Sequence, residues 1–305
     1  MANSNSGTKI VLTASATEMS EFGNSQFIAF VGGFASGPVP KWLIRKYLYP
    51  PVERTAEGRA KVASYGLRKV EAILLQNGFT EQDVAVVHPA DLSQFVGPNT
   101  KAVGISSMDP TGMGYVSKTY SSLVGGGEPM NAVEFKALAK HPAIRQFKPK
   151  VIVGGFGSWQ LERKRLTRDY GVDCLVMGPG QEGIVDVFKK AVDGEALPQR
   201  IRSPAKPDEE FPLIKHAAIH GAVEISKGCG RNCQFCTPTV LEKVDTPLEE
   251  VIKEVELTAR ECGEKGTHIT LVTEDLSFTV QKTRTLCPTR KPCLNWLRVS
   301  LRFQT

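Results

Sequence analysis

The stretch Val223-Glu-Ile-Ser-Lys-Gly-Cys-Gly-Arg-Asn-Cys-Gln-Phe-Cys236 carries Cys229, Cys233 and Cys236, three of only seven cysteines in 305 residues. Thiolates packed this closely in one loop point to a soft metal site, since thiolate ligands select zinc, copper(I) or iron–sulfur clusters. A structural zinc takes four protein ligands, and no fourth cysteine or histidine lies close by in the chain. Three thiolates suit a 4Fe-4S cluster better, because its fourth iron is left open to bind something else. Two other readings stay open. Zinc would recruit His220 or a distant cysteine, and a Cys233-x-x-Cys236 redox pair would need a thioredoxin-like setting.

The flanking residues give the loop its context. Val223–Ser226 reads as a short strand entering the loop. The next helix is expected from Thr246, with Pro247 at its first position and Glu249 completing a capping box. Leu248, Ile252, Val255 and Ala259 recur at helical spacing, and Gly263 is a natural stop. A second strand, His268–Thr273, ends in Glu274-Asp275. Strand, cysteine loop, helix and strand make the first β/α unit of a parallel barrel, with chemistry expected at the carboxyl ends of the strands.

This arrangement resembles the radical S-adenosylmethionine superfamily, and Phe235, the aromatic before the last cysteine, also matches that family's loop. The resemblance implies that Cys229, Cys233 and Cys236 ligate a 4Fe-4S cluster whose open iron holds the amino and carboxylate groups of S-adenosylmethionine. Phe235 would belong to the cofactor-binding loop. Thr273-Glu-Asp275 stands where the family usually has Gly-Gly-Glu, which makes Glu274 the candidate partner of the methionine ammonium. It further implies reductive cleavage to a 5′-deoxyadenosyl radical, fed by an electron donor such as ferredoxin or flavodoxin.

Ahead of this unit, strand-like and helix-like segments alternate, which predicts a doubly wound, Rossmann-like parallel α/β sheet. Residues 1–25 are polar and read as a loose terminus. An apolar run at Ser25–Val31 and strands at Val84–Val87, Ala102–Ser106, Val151–Val153 and Cys174–Met177 make five strands. Helices are expected over Thr55–Gln76, Asp91–Phe95, Asn131–Lys140, Ser158–Tyr170 and Gln181–Ala191. Three strand-end loops stand out. They are Ser106-Ser107-Met108-Asp109 through Gly114, then Gly154-Gly155-Phe-Gly157, and Gly178-Pro-Gly180-Gln-Glu182. Glycine there allows close backbone approach to a ligand. No G-x-G-x-x-G with an acidic partner follows the first strand, which disfavours a nicotinamide or flavin.

The two glycine loops resemble the cobalamin-binding domain that precedes many radical S-adenosylmethionine barrels. That domain's usual Gly-Glu-Gly-Glu appears here as Gly178-Pro-Gly180-Gln-Glu182, with one residue extra. Its Asp-x-His-x-x-Gly signature is absent, and Asp109-Pro-Thr-Gly-Met-Gly114 stands in such a loop without a histidine. The resemblance, spanning residues 25–276, implies cobalamin as a further cofactor, held without histidine ligation from this loop and available for methyl transfer. Ser106, Ser107, Asp109, Gly154, Gly155, Gly178, Gly180 and Glu182 are the candidate contacts.

The expected organisation is therefore a loose terminus (1–25), the Rossmann-type domain (26–193), a proline-rich linker (194–220), the start of the barrel (221–276) and an aberrant basic tail (277–305). His216 and His220 fall in the linker and read as ordinary surface histidines. The tail from 276 carries six basic residues and no acid, and without it 32 basic residues balance 32 acidic ones. The basic pI of about 8.9 thus gives no support to nucleic-acid binding. Only two barrel strands can be placed, so the chain reads as the front portion of such an enzyme, ended by truncation or out-of-frame translation. Cys287 and Cys293 in the tail read as incidental thiols. No N-terminal apolar run suits a signal peptide or membrane span, so a cytosolic location is expected. A non-catalytic cobalamin- or cluster-binding fragment is the alternative, and a zinc-binding interaction protein a third reading.

Overall fold

The computed structural model describes residues 6–25, 28–35, 37, 39–124, 127–178, 180–204, 211–228, 243–262 and 269–273. A six-stranded, wholly parallel sheet forms its centre. The strands are β1 (Ile10–Ala14), β2 (Val84–Val86), β3 (Ala102–Ser106), β4 (Lys150–Gly154), β5 (Cys174–Met177) and β6 (Arg200–Arg202). Their order across the sheet is β2-β1-β3-β4-β5-β6.

Three expectations are corrected here. The described part of the expected loose terminus, residues 6–25, is not loose, because Ile10–Ala14 is a sheet strand whose five residues are all buried. A parallel strand covered on both faces reads as a continuous apolar run, and here Ile10-Val-Leu is hidden among Ser, Thr and Asn on either side. The apolar run at 25–31 is not a strand; Ile28–Gly33 forms 3-10 turns. The linker is corrected as well. Arg200–Arg202 pairs with β5 as the edge strand, and Ile214, Ala217 and Ala218 are buried.

The helices are α1 (Lys41–Tyr47), α2 (Tyr65–Gln76), α3 (Leu92–Phe95), α4 (Tyr115–Val124), α5 (Met130–Ala139), α6 (Pro142–Phe147), α7 (Trp159–Arg163) and α8 (Gln181–Asp193). The helix expected from Thr55 starts ten residues later, and the one expected over Ser158–Tyr170 stops at Arg163. Alternate strand residues face opposite sides. Leu12, Ile152 and Val176 meet Leu67 and Leu74 of α2 and Val187 and Phe188 of α8. Val11, Val103 and Val153 meet Leu92 of α3, Phe135 of α5 and Leu161 of α7.

The second unit contains β7 (Ala222–Glu224), β8 (Ser226–Lys227), β9 (Val244–Asp245), α9 (Leu248–Cys262) and β10 (Thr270–Val272). β7 and β10 are parallel, with α9 as the connection between them. Val251 and Val255 of α9 pack on Val223 and Ile225. The Pro247 carbonyl accepts the first helical bonds from Glu250 N (3.0 Å) and Val251 N (3.1 Å). Thr246 Oγ1 donates to the Glu224 carbonyl (3.1 Å).

α2 joins the two units. Arg68, 2% exposed, donates to the carbonyls of Ala217 (3.2 Å), Ala60 and Lys61 (both 2.9 Å) and pairs with Glu71. Lys69 and Tyr65 both reach Glu254 of α9. No helix among the described residues is long and apolar enough to cross a membrane.

Candidate functional site

In an open parallel sheet, ligands bind beyond the carboxyl ends of the strands, where the strand order reverses. Here β1 connects to β2 on one side while β3 lies on its other side, so the reversal falls between β1 and β3. The registers align Ala14 with Ser106, and Ser106 with Gly154, as a terminal row across β1, β3 and β4. Ser106 and Gly154 are half-buried, and Ser106 Oγ makes no hydrogen bond among the described residues. Opposite this row stands the first turn of α2. A Cβ on the exposed Gly66 would meet nothing nearer than Ser106 Oγ at 3.9 Å.

The glycines of the strand-end loops divide into two kinds. A Cβ on Gly154 would make ordinary contacts, 3.7 Å to Val176 Cβ and 3.8 Å to its carbonyl. The chain itself therefore does not require glycine there. Gly155 has φ +89°, and its Cβ would lie 2.8 Å from both the backbone N and O of Ser107. Gly178 has φ +98°, and its Cβ would lie 2.5 Å from the carbonyl oxygen of Ser203. Gly180 is pressed against Ser203 and Pro204 in the same way. Ser203 N donates to the Met177 carbonyl (2.7 Å), Gly180 N to the Ser203 carbonyl (2.6 Å) and Ser203 Oγ to the Gly180 carbonyl (2.9 Å). Gly155, Gly178 and Gly180 thus accommodate neighbouring chain, and Glu182 is exposed in the first turn of α8.

Ser107 and Asp109 are also engaged internally. Ser107 is fully buried; its N donates to the Gly154 carbonyl (3.1 Å) and its Oγ to Glu18 Oε1 (3.1 Å). Asp109 Oδ1 accepts from Gly114 N (2.7 Å) and Oδ2 from Ser117 Oγ, which fixes the loop leading into α4.

Sequence reasoning missed Glu18. It follows β1, and its carboxylate accepts from Ser107 Oγ, from Met108 N (3.1 and 3.2 Å) and from Ser15 Oγ (3.2 Å). Burial pushes its pKa up to about 7, against the opposing pull of those donors, with Asp109 adding a smaller upward push. A carboxyl group that exchanges its proton near neutrality at a sheet's switch point is the kind of perturbed group that marks functional sites. The signal available in sequence was an acid six residues beyond the short apolar run Ile10-Val-Leu12.

Cys229, Cys233, Cys236, Phe235 and Glu274 lie outside the described residues. The stems of the cysteine loop are described. Ser226 pairs with Asp245 and Lys227 with Val244 in an antiparallel ladder, so the loop leaves and returns at one place beyond β7. Ser226 Oγ and Thr273 Oγ1, 2.6 Å apart, link that place to the end of β10. His220 lies at the amino end of β7, the far end from the loop stems. Among the described residues no group of three or more His, Cys, Asp or Glu is placed to hold a metal ion. Burial raises the pKa of Cys174 to about 11 and raises that of Cys262, which opposes thiolate formation in both.

The two carboxyl edges approach each other at Tyr65. Its OH donates to Glu254 Oε2 (2.8 Å), and after burial the nearby carboxylates of Glu254 and of Glu224, the last residue of β7, raise its pKa. The next residue along α2, Gly66, faces Ser106. No family model, curated protein or solved structure matches this chain.

Proposed function

We propose that this chain carries the cofactor-binding units of a cobalamin-dependent radical S-adenosylmethionine enzyme. The observation that carries the reading is the meeting of two carboxyl edges at Tyr65-Gly66. One edge is the Ser106–Gly154 row and the other is the β7 end that leads into the cysteine loop. Two cofactors that must act on one substrate need adjoining sites, and a junction of this kind would bring such sites together.

Cys229, Cys233 and Cys236 would hold the cluster, whose chemistry when bound is reductive cleavage of S-adenosylmethionine. Glu274 would take the methionine ammonium. Gly154 and Ser106 would line the cobalamin site, since both are half-buried at the strand ends and the Ser106 hydroxyl makes no hydrogen bond among the described residues. Glu18, from beneath, holds the Ser107-Met108 turn that follows Ser106. The parallel β7–α9–β10 unit is the type of unit from which a β/α barrel is built.

The test is anaerobic reconstitution of the full chain with iron and sulfide, then titration with S-adenosylmethionine and hydroxocobalamin. Support would be a cluster-type paramagnetic signal altered by S-adenosylmethionine, saturable hydroxocobalamin binding and release of 5′-deoxyadenosine. Cofactor binding without 5′-deoxyadenosine would favour the non-catalytic alternative. A colourless protein that takes up zinc in place of iron would reject the reading.

A further inference from the structure

The large apolar side chains exposed among the described residues are unevenly placed. All but Val244 and Val272 fall in residues 28–48 and 108–123, the segments that follow β1 and β3. These segments form one contiguous cap over the N-terminal half of α5. Ile44 of α1 packs with Met130, and Arg45 pairs with Glu134. Met130 N donates to the Phe34 carbonyl (2.8 Å), and the rings of Phe34 and Tyr120 stack with centroids 3.8 Å apart, which ties the 3-10 segment to α4.

The outer surface of this cap has a definite chemistry. Trp42 is 64% exposed, Tyr47 67%, Tyr115 79% and Leu123 75%, which is far beyond what a core-facing residue shows. Lys41, Lys46 and Lys118 are exposed among them. Residues 28–48 contain no acid, and the one acid in 108–123, Asp109, is buried and bonded to Gly114 N and Ser117. Arg45 is already taken by Glu134, so the lysines set the sign of the surface.

We propose that this cap docks on the surface of an anionic lipid membrane. Tryptophan and tyrosine favour the boundary between headgroups and acyl chains. Lysines beside them are attracted to acidic headgroups, and their stems lie on apolar surface while the charge stays in water. Protein interfaces are depleted in lysine at their centres. A symmetric contact between two copies would set this lysine-bearing patch against itself, and its one neighbouring exposed acid in sequence at the Ala35–Pro129 bridge is Glu128. Peripheral docking of this kind needs no membrane-spanning helix and does not depend on the cofactors.

The experiment is co-sedimentation of the full chain with vesicles of phosphatidylcholine, with and without phosphatidylglycerol, over a range of salt. Binding is expected on the anionic vesicles alone and should weaken as salt rises. A blue shift of tryptophan emission should accompany it and disappear in Trp42→Phe. The double variant Lys41→Glu/Lys46→Glu should lose on the order of 100-fold in affinity, and Trp42→Ser/Tyr47→Ser should also release the protein. These side chains are exposed, so the thermal transition should be unchanged and serves as the folding control. Absence of binding to anionic vesicles, or binding that ignores these substitutions, would overturn the proposal. So would self-association that the same substitutions abolish in lipid-free solution, which would assign the cap to a second copy of the chain.

Discussion

Lys69 Nζ lies 2.6 Å from Glu254 Oε1, and the two residues are 185 positions apart in the chain. Both side chains are buried, at 9% and 1% exposure. Glu254 is bonded on both oxygens, since Ile214 N also reaches Oε1 (3.1 Å) and Tyr65 OH reaches Oε2 (2.8 Å). Lys69 makes a second bond to the Pro212 carbonyl (2.9 Å). One carboxylate thus ties α2 of the doubly wound sheet, the segment at Pro212–Ile214 and α9 into one network. The expected linker between two domains is, at these positions, a packed seam.

Removing that carboxylate should separate the units. Glu254→Ala leaves Lys69, Tyr65 OH and Ile214 N buried without their partner, and breaking a buried pair on one side costs about 3–5 kcal/mol. Replacing both partners, Lys69→Met with Glu254→Met, should cost much less, because no uncompensated charge remains. Chemical denaturation of the three proteins measures this. Limited proteolysis should cut α9 away from the sheet domain in Glu254→Ala and leave it attached in the parent. Equal losses in the single and double variants would contradict the assignment.

Adjacent glycines should behave differently. Gly155→Ala forces a side chain into a left-handed conformation and against the Ser107 backbone, so it should destabilise by about 2 kcal/mol or more. Gly154→Ala meets only ordinary contacts and should leave the unfolding transition nearly unchanged. If the row at Ser106–Gly154 holds cobalamin, that same methyl group should weaken hydroxocobalamin binding at least tenfold, a loss of about 1.4 kcal/mol. Undiminished affinity in Gly154→Ala would move the ligand elsewhere.

The sequence made parts of this architecture plain and concealed others for physical reasons. β3, β4 and β5 were legible because strands covered on both faces are short unbroken apolar runs bounded by polar loops. β1 has the same character and length, but it lies inside a Ser/Thr-rich stretch whose composition outweighed it. β6 reads Arg-Ile-Arg because an edge strand is only partly covered, so it carries little apolar signal. Glycine loops were recognisable, but no local pattern tells which glycine faces a ligand and which faces Ser107 or Ser203. Glu18 gains its character from burial beside Ser107 and Met108, about ninety positions away, and that setting exists only once β1 and β3 pair.

The described cysteines sharpen the metal prediction. Cys174, whose thiol is pushed up to about 11 by burial, and Cys262, raised by the same cause, should be bystanders. Reconstituted Cys174→Ala/Cys262→Ala should therefore keep the iron content of the parent. Cys229→Ala/Cys233→Ala/Cys236→Ala should lose both iron and the brown absorption. Equal iron in that triple variant and the parent would remove the cysteine loop from consideration.

Glu18 should leave a signature in stability against pH. Its folded pKa, near 7, is above the unfolded value of 4.5, so between those limits the native state binds more protons than the unfolded chain. Stability from this group is therefore full below pH 4.5 and declines as pH rises through 7, by about 3 kcal/mol for the net shift. His88 works in the opposite sense. Burial lowers its pKa from 6.5 to about 4, so its neutral form is the native one and its contribution is lost as pH falls through that interval. The two slopes partly cancel in the parent protein. Glu18→Gln keeps an oxygen for Met108 N and Ser107 Oγ but cannot ionise, so it should abolish only the decline toward higher pH. Its stability should then rise with pH between 4 and 6.5 on the His88 contribution, and near pH 8 the variant should be more stable than the parent. Urea denaturation at several pH values provides the measurement. A Glu18→Gln curve parallel to the parent's over pH 4.5–7 would show that this carboxyl group is not perturbed in the folded protein.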